Sequence, residues 1–335
     1  MTSLRVRRIA LSAVVALIGI LAAACGSSGS TGAAKPSASA SDKPEKSHVT
    51  VALLPVPDAA PLFIAIQKGY FKQEGLTVTP EIVQASAQVT PDLVSGKVDF
   101  ASLNYVSTFE IEQNSGINFR IIAPGTQASP NVFALLVPKN SKITSPAQLK
   151  GKSIAAPTAS GAIGNLLVDA TLKRYGVSPQ QVKFVAIPFP DMLTALARGQ
   201  VDAAAATEPF VTAIKAASAG RPIADLTGGS MNGFAVSGWG VTGQYASKYP
   251  KTVAAFQKAM AKAQQVAASD RALVEQTLPT FTSIKPKIAG VIALSTYPTT
   301  LSAAPLQHVA DVMFQLGFLH KRFDVSPMII ASPAS

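Results

Sequence analysis

The chain is 335 residues long and carries 29 Lys and Arg against 18 Asp and Glu, a formal net charge of +11 at pH 7. Hydrophobic residues make up 48% and charged residues 14%, enough apolar material for one large domain or two moderate ones. The lysines are scattered, with no basic helix or aromatic-rich strand beside them, which points away from nucleic acid and toward attraction to an anionic envelope. Cys25 stands alone, which excludes an internal disulfide. At the N-terminus, Arg5, Arg7 and Arg8 form a positive stub, and residues 9–24 carry no charge. A stable membrane helix needs about 20 apolar residues. This shorter run, ending in Ala22, Ala23 and Ala24, therefore predicts a secretory leader over 1–24 that is cut before Cys25. Residues 26–47 have no large apolar side chain and cannot bury enough surface to fold; as a flexible coil they reach roughly 25 Å. The reading is a leader over 1–24, a tether over 25–47 and a folded body from 48.

The body is written twice. A strand is predicted over 49–55, followed by a helix with Leu62, Ile66 and Tyr70 on one face that breaks near Gly69. A second strand follows at 76–78. Leu93-Val94-Ser95-Gly96-Lys97-Val98-Asp99 then ends a short helix on a glycine and leads into an apolar strand at 100–103. The same order returns downstream. Strand 153–157 precedes a helix carrying Ile163, Leu166, Leu167 and Ala170 and closing at Gly176; a strand follows at 182–187. Leu196-Ala197-Arg198-Gly199-Gln200-Val201-Asp202 then leads into a strand at 203–206. The two L-x-x-G-x-V-D copies lie 103 residues apart. Pro91 and Asp191 are read as helix-start residues. Each copy is strand, helix, strand, helix, strand, which makes a right-handed parallel α/β unit.

Open parallel sheets bind ligands beyond the carboxyl ends of their strands. The loops there are 55–60 and 103–105 in the first lobe, 157–164 and 207–209 in the second, and facing lobes would gather all four around one cleft. In Thr158-Ala159-Ser160-Gly161-Ala162 a glycine allows close backbone approach, and the amides of a helix start favour an anionic group. Thr158 and Ser160 add hydroxyl donors, although Ser160 serves equally well as a helix cap. Asn104 and Tyr105 are candidate hydrogen-bonding partners for a polar ligand; a turn residue beside a packed ring is the plainer reading. Glu208 faces either a ligand amine or the turn that Pro209 sets. Trp239, the only tryptophan, has two open roles: stacking on ligand near the hinge, and ordinary packing. The three histidines, His48, His308 and His320, fall in no cleft loop. No metal-ligand spacing and no Ser-His-acid constellation can be assembled, so neither a cofactor nor a metal is expected.

Residues 21–25, Leu-Ala-Ala-Ala-Cys, resemble the lipobox of bacterial lipoproteins, with Ala22 where that pattern usually has Leu. The resemblance implies a lipid on Cys25 that holds the protein on the extracytoplasmic face of the cell membrane. Ile64-Ala65-Ile66-Gln67-Lys68-Gly69-Tyr70-Phe71-Lys72-Gln73-Glu74-Gly75-Leu76 resembles the KGYF…EGL signature of ABC-importer binding proteins for nitrate, sulfonates, taurine and thiamine-related pyrimidines. Leu149-Lys150-Gly151-Lys152-Ser153-Ile154-Ala155 is similar to their LKGKxIA strand, and residues 204–210, with Glu208-Pro209, to their xxEPF loop. The family implies an α/β type II periplasmic-binding-protein fold, with two similar lobes joined by crossing segments near 132–137 and 234–241. Lobe 1 would cover 48–136, lobe 2 137–236, and the return to lobe 1 with the C-terminal helices 237–335. It further implies a monomeric receptor that carries a small-molecule solute (sulfonate, taurine, nitrate or pyrimidine-like) to an ABC permease with a separate ATPase. Family ligand contacts carry over to Asn104, the 158–162 loop and Glu208. Thr207 replaces the aromatic common before Glu-Pro. Asp58 replaces a small neutral residue, and its carboxylate would repel a plain anion, which leaves a zwitterion or neutral heterocycle open. Relatives of this fold also include a pyrimidine synthase of thiamine biosynthesis and menaquinone-pathway enzymes, so an enzyme is the alternative reading, with a non-transport sensor as a third.

Overall fold

The computed structural model describes residues 43–83 and 86–333. The expected leader 1–24, Cys25 and most of the tether lie outside these residues. No helix among the described residues is long and apolar enough to cross a membrane. In chain order the first elements are β1 (His48–Leu53), α1 (Ala60–Gln67), α2 (Tyr70–Gln73), β2 (Thr77–Ile82), α3 (Ser86–Val94), β3 (Phe100–Asn104), α4 (Tyr105–Ser115) and β4 (Phe119–Gln127). There follow β5 (Phe133–Pro138), β6 (Ser153–Ala156), α5 (Ile163–Arg174), β7 (Lys183–Ala186), α6 (Phe189–Ala197), β8 (Ala203–Thr207), α7 (Phe210–Ala216) and β9 (Gly220–Asp225). The last are β10 (Ala235–Thr242), α8 (Gly243–Lys248), α9 (Pro250–Ser269), α10 (Arg271–Thr277), α11 (Pro286–Ala289) and α12 (Ala303–Leu316).

Two five-stranded sheets form two lobes, ordered β2-β1-β3-β10-β4 and β7-β6-β8-β5-β9. In each, the strand–helix repeat builds three parallel strands, and one antiparallel strand, β10 or β5, separates them from the fifth. The chain crosses between sheets over 128–132 and 226–234. The segments expected as crossings, 132–137 and 234–241, largely coincide with β5 and β10, the strands entered after each crossing. The second sheet therefore takes up the chain at Phe133 and the first resumes at Ala235, rather than at 137 and 237.

The repeated heptad does the same work in both lobes. Leu93 and Leu196 are buried, as are Val98 and Val201, and Gly96 and Gly199 hold the positive φ of a helix end, 74° and 63°. The terminal aspartate then clamps the first strand of its own lobe. Thr50 N donates to Asp99 Oδ2 at 2.9 Å while Asp99 N donates to Thr50 O at 3.0 Å. In the second lobe, Ser153 N donates to Asp202 Oδ2 at 2.9 Å, and Asp202 N to Ser153 O at 3.1 Å. The lobes differ in what else holds the acid. Lys46 reaches both oxygens of Asp99, at 2.6 and 2.8 Å; Asp202 takes the Ser153 hydroxyl at 2.8 Å and stands 3.5 Å from Lys152. Next to Lys46, Glu45 accepts the Lys251 and Thr252 amides at the start of α9, so the last tether residues are fastened to lobe 1. One helix-start reading is corrected: Pro91 lies inside α3, which begins at Ser86. Asp191 does fall in the first turn of α6.

Three apolar clusters hold these layers. One lies between the first sheet and α1 and α9, where Phe100 and Phe256 stack at 4.2 Å. A second lies between the second sheet and α6 and α7. The third runs through both lobes, because α12 packs against α4 of the first and α5 of the second. Each fully buried Leu or Phe contributes about 2–3 kcal/mol by removing apolar surface from water. Removing the Phe256 ring would cost about 3–5 kcal/mol.

The aspartate clamps are testable by urea unfolding. Asp99 is 5% exposed, so Asp99→Ala leaves the Thr50 amide without its partner and should cost about 2 kcal/mol, because the half-exposed Lys46 charge stays solvated. Asp202 is half-exposed and should cost about 1 kcal/mol as Ala. Burial pushes the Asp202 carboxyl up, but the Ser153 donors and the Lys152 charge outweigh this and hold its pKa below the ordinary value. A depressed folded pKa stabilises above the unfolded value, about 3.9, and this contribution is lost as pH falls through the folded pKa. The wild-type advantage over Asp202→Ala should therefore be constant near neutrality and shrink below about pH 4. An advantage that grows on acidification would contradict the assignment.

Candidate functional site

Residues just past the carboxyl ends of β1, β3, β6 and β8 meet in one cavity of about 60 Å³ lined from both lobes. Leu54, Val56 and Asp58 follow β1, Asn104 ends β3, Pro157 and Ala162 follow β6, and Thr207 ends β8. A second cavity of about 70 Å³ adjoins it on the lobe 1 side and shares Leu54, Val56, Asp58, Asn104 and Ser107. A water needs about 10–15 Å³ by this measure, so the two have room for a compact solute. A wider opening at the mouth is lined by α4 and by Thr158, Ser160 and Gly161.

Two helix starts face this space. Asn104 is the N-cap of α4, with Ser107 N donating to its Oδ1 at 3.3 Å. At α5 the N-cap is Ala162, whose methyl cannot cap the helix, so no side chain at that position satisfies the first-turn amides. Asn165 reaches back from the first turn instead, accepting from Ala162 N at 3.3 Å and from Thr158 Oγ1 at 3.3 Å. Thr158 Oγ1 also lies 2.6 Å from Ser160 O. The loop is thus held in shape by its own hydroxyl and amide groups.

The lobes touch at the mouth. Ser107 Oγ donates to Gly161 O at 2.6 Å across the cleft. Gly161 has φ +72°, and a Cβ there would run into the Glu110 carboxylate. Burial pushes Glu110 upward in pKa, against the pull of the His320 charge.

Asp58 stands in the single turn between β1 and α1 and lines both cavities. Its Oδ2 accepts from Thr126 Oγ1 at 2.7 Å and from Ser237 Oγ at 2.9 Å. Those donors come from β4 and β10, the lobe 1 strands that flank the crossings. Burial raises the Asp58 pKa, and the two hydroxyls and its own amide only partly offset it.

The candidates from sequence separate cleanly. Asn104 and Ala162 line the inner cavities; Thr158, Ser160 and Gly161 line the mouth. Tyr105 points inward, 2% exposed, packed over Gly238 and stacked with Phe109 at 5.8 Å. Trp239 is 1% exposed in the lobe 1 core beside Phe256, and its indole Nε1 has no hydrogen-bond partner among the described residues. Glu208 is 3% exposed and takes the plainer of its two readings. It accepts from Thr212 N at 3.1 Å and Thr212 Oγ1 at 2.8 Å at the start of α7, and from Ala293 N at 3.4 Å. Burial raises its pKa against those donors. Ser107, Thr126, Ser237, Phe133 and Phe189 join the site without a sequence signal of their own. Of these, only Ser107 had a clue, three residues beyond the Asn104 cap.

A family model described as NMT1/THI5 like matches residues 56–272. The taurine-binding periplasmic protein of Escherichia coli (strain K12) is 30% identical over 197 residues, 58% of this chain and 59% of that protein. A 4-amino-5-hydroxymethyl-2-methylpyrimidine phosphate synthase of Aspergillus parasiticus is 31% identical over 148 residues, 44% of this chain and 41% of the synthase. Both matches span less than two thirds of the relative's own length. Among solved structures, the alkanesulfonate-binding protein SsuA from Xanthomonas axonopodis pv. citri bound to MOPS superimposes with a TM-score of 0.72. The match covers 85% of this chain and 99% of that one at 22% identity. That likeness establishes the fold as the two-lobed periplasmic-binding type.

The closed mouth depends on Gly161. A β-branched side chain at its positive φ costs about 1–3 kcal/mol and displaces Glu110. Gly161→Val should lower the urea midpoint accordingly and raise the radius of gyration by small-angle scattering as the lobes part. An unchanged radius together with unchanged stability would contradict this role.

Proposed function

The chain belongs to the NMT1/THI5-like family, and from that premise we propose that it is the extracytoplasmic solute receptor of an ABC importer. It closes on a small polar solute between its lobes and delivers it to a membrane permease driven by a separate ATPase. The observation that carries this reading is the cavity lined by the strand ends of both lobes, with the starts of α4 and α5 converging on it. Such a site grips a solute by closure and yields it on opening, which is what carriage needs. Sulfonates, taurine, nitrate and pyrimidine-like compounds are the candidate solutes, and the taurine-binding relative supports that range. The receptor acts as a monomer, with a lipid on Cys25 and the 25–47 tether keeping it near the permease on the extracytoplasmic face of the cell membrane.

The synthase relatives make an enzyme the second reading. Asp58 is the one ionisable side chain among the described residues lining the two inner cavities, which leaves no acid–base pair in contact with a bound molecule. The receptor reading is therefore favoured.

A thermal-shift screen of sulfonates, taurine, nitrate and pyrimidines tests it. A ligand at a hundred times its dissociation constant adds about 2.7 kcal/mol, read as a raised midpoint, and should be recovered unchanged. Chemical turnover of the bound compound would overturn the receptor reading. For the anchor, Cys25→Ser should move the protein from the membrane fraction to the soluble one; retention on the membrane would overturn lipidation.

A further inference from the structure

We propose that Asp58 makes this cleft a site for a solute with a protonated nitrogen, joined through a short spacer to an anionic head, rather than for a simple anion. This deepens the receptor reading and rests on it. Asp58 lines both inner cavities, while no Lys, Arg or His does so among the described residues. An anion entering the cleft would therefore meet helix-start amides and hydroxyls but no cationic side chain, with a carboxylate facing it.

The surroundings of Asp58 show how it is held and what it lacks. Thr126 and Ser237 both deliver hydroxyls to Oδ2, and they also lie 3.0 Å from each other. They fix the carboxyl group from two strands, but they supply no positive charge. Among the described residues, no other residue hydrogen-bonds Oδ1. Nearby, the Tyr297 hydroxyl is spent on Pro57 O at 3.0 Å, and burial together with the Asp58 charge keeps that phenol protonated. Asp58 thus has oriented neutral donors and no countercharge. A carboxyl group held in this way is relieved either by taking up a proton or by meeting a cation, and a solute with a protonated nitrogen supplies the cation.

The rest of the cleft supplies the complementary end. The α5 amides, uncapped by Ala162, and the α4 start at Asn104 favour negative charge. One carboxylate and two helix starts around a small cavity fit a molecule with charges of both signs. An ammonium two or three carbons from a sulfonate, carboxylate or phosphate carries both charges on a molecule small enough for cavities of about 60 and 70 Å³. The apolar walls, Leu54, Val56, Phe133 and Phe189, would cover its methylene spacer.

Titration calorimetry on the wild-type protein with matched pairs differing only in the amine provides the test. The pairs are taurine and ethanesulfonate, β-alanine and propionate, and 2-aminoethyl phosphate and ethyl phosphate. At least one aminated member should bind ten times or more tighter than its partner. Asp58→Asn retains an acceptor for Thr126 and Ser237, so it should fold with a thermal midpoint close to wild type and reduce that preference to within about threefold. Equal binding within every pair, a preference for the deaminated members, or a preference unchanged in Asp58→Asn would overturn the assignment while leaving the receptor reading in place. Binding of no compound in either arm would overturn the solute reading and this inference with it.

Discussion

Each lobe depends on one carboxylate that ties the start of its third parallel strand to the start of its first. Asp99 and Asp202 exchange backbone and side-chain hydrogen bonds with Thr50 and Ser153. Fixing the amino ends of β1 and β3, and of β6 and β8, sets the parallel register, so their opposite ends finish together. Asp58, Asn104 and Thr207 leave from those opposite ends, and Thr126 and Ser237 come from β4 and β10 of the first sheet. The motif that made the repeat visible is thus also the clamp that allows the cleft to form. It works at the far end of the strands from the chemistry, so its loss should be felt as stability before it is felt as binding.

Inside the cleft, opposing fields decide what can enter. A helix start favours an anion by about 0.3–1 kcal/mol when exposed and about 2 kcal/mol in a favourable buried geometry. An ionised carboxylate about 5 Å away opposes the same anion by roughly 3 kcal/mol at an effective dielectric near 20. Two helix starts thus come close to cancelling Asp58 and leave a plain anion little net attraction. A solute bearing both charges gains from both fields. On the proposed reading these magnitudes favour a zwitterion over a plain anion, a narrower range than the family likeness, which spans anions, zwitterions and heterocycles.

Much of the architecture was legible because its signals are local. The KGYF…EGL and LKGKxIA segments, the two heptads and the run of strands and helices all reflect backbone geometry set within a few residues, and the 158–162 loop followed from a strand, a glycine and a helix start. What failed to read depends on direction in three dimensions. Trp239 and Ser237 lie in one strand, yet one packs in the core and the other meets Asp58; β10 shifts register against β4 beside both residues. Tyr105 follows Asn104, which lines the cavities, but lies over Gly238, where the missing side chain leaves room for its ring. Glu208 looked like an acid at a strand end and is used up as a helix cap. Thr126 and Ser237 are 111 residues apart, and only the folded sheet brings their hydroxyls to one carboxyl oxygen. Asp58 was visible as an oddity; its partners were not.

The central claim is that the space between the lobes, lined by Asp58 and by the starts of α4 and α5, is where the solute sits. A crystal structure of the wild-type protein grown with saturating taurine tests it most directly. The account predicts taurine between the lobes, with the ammonium within hydrogen-bond reach of Asp58 and the sulfonate against the first-turn amides of α5. Taurine bound outside the cleft, or a cleft left empty at saturation, would contradict it.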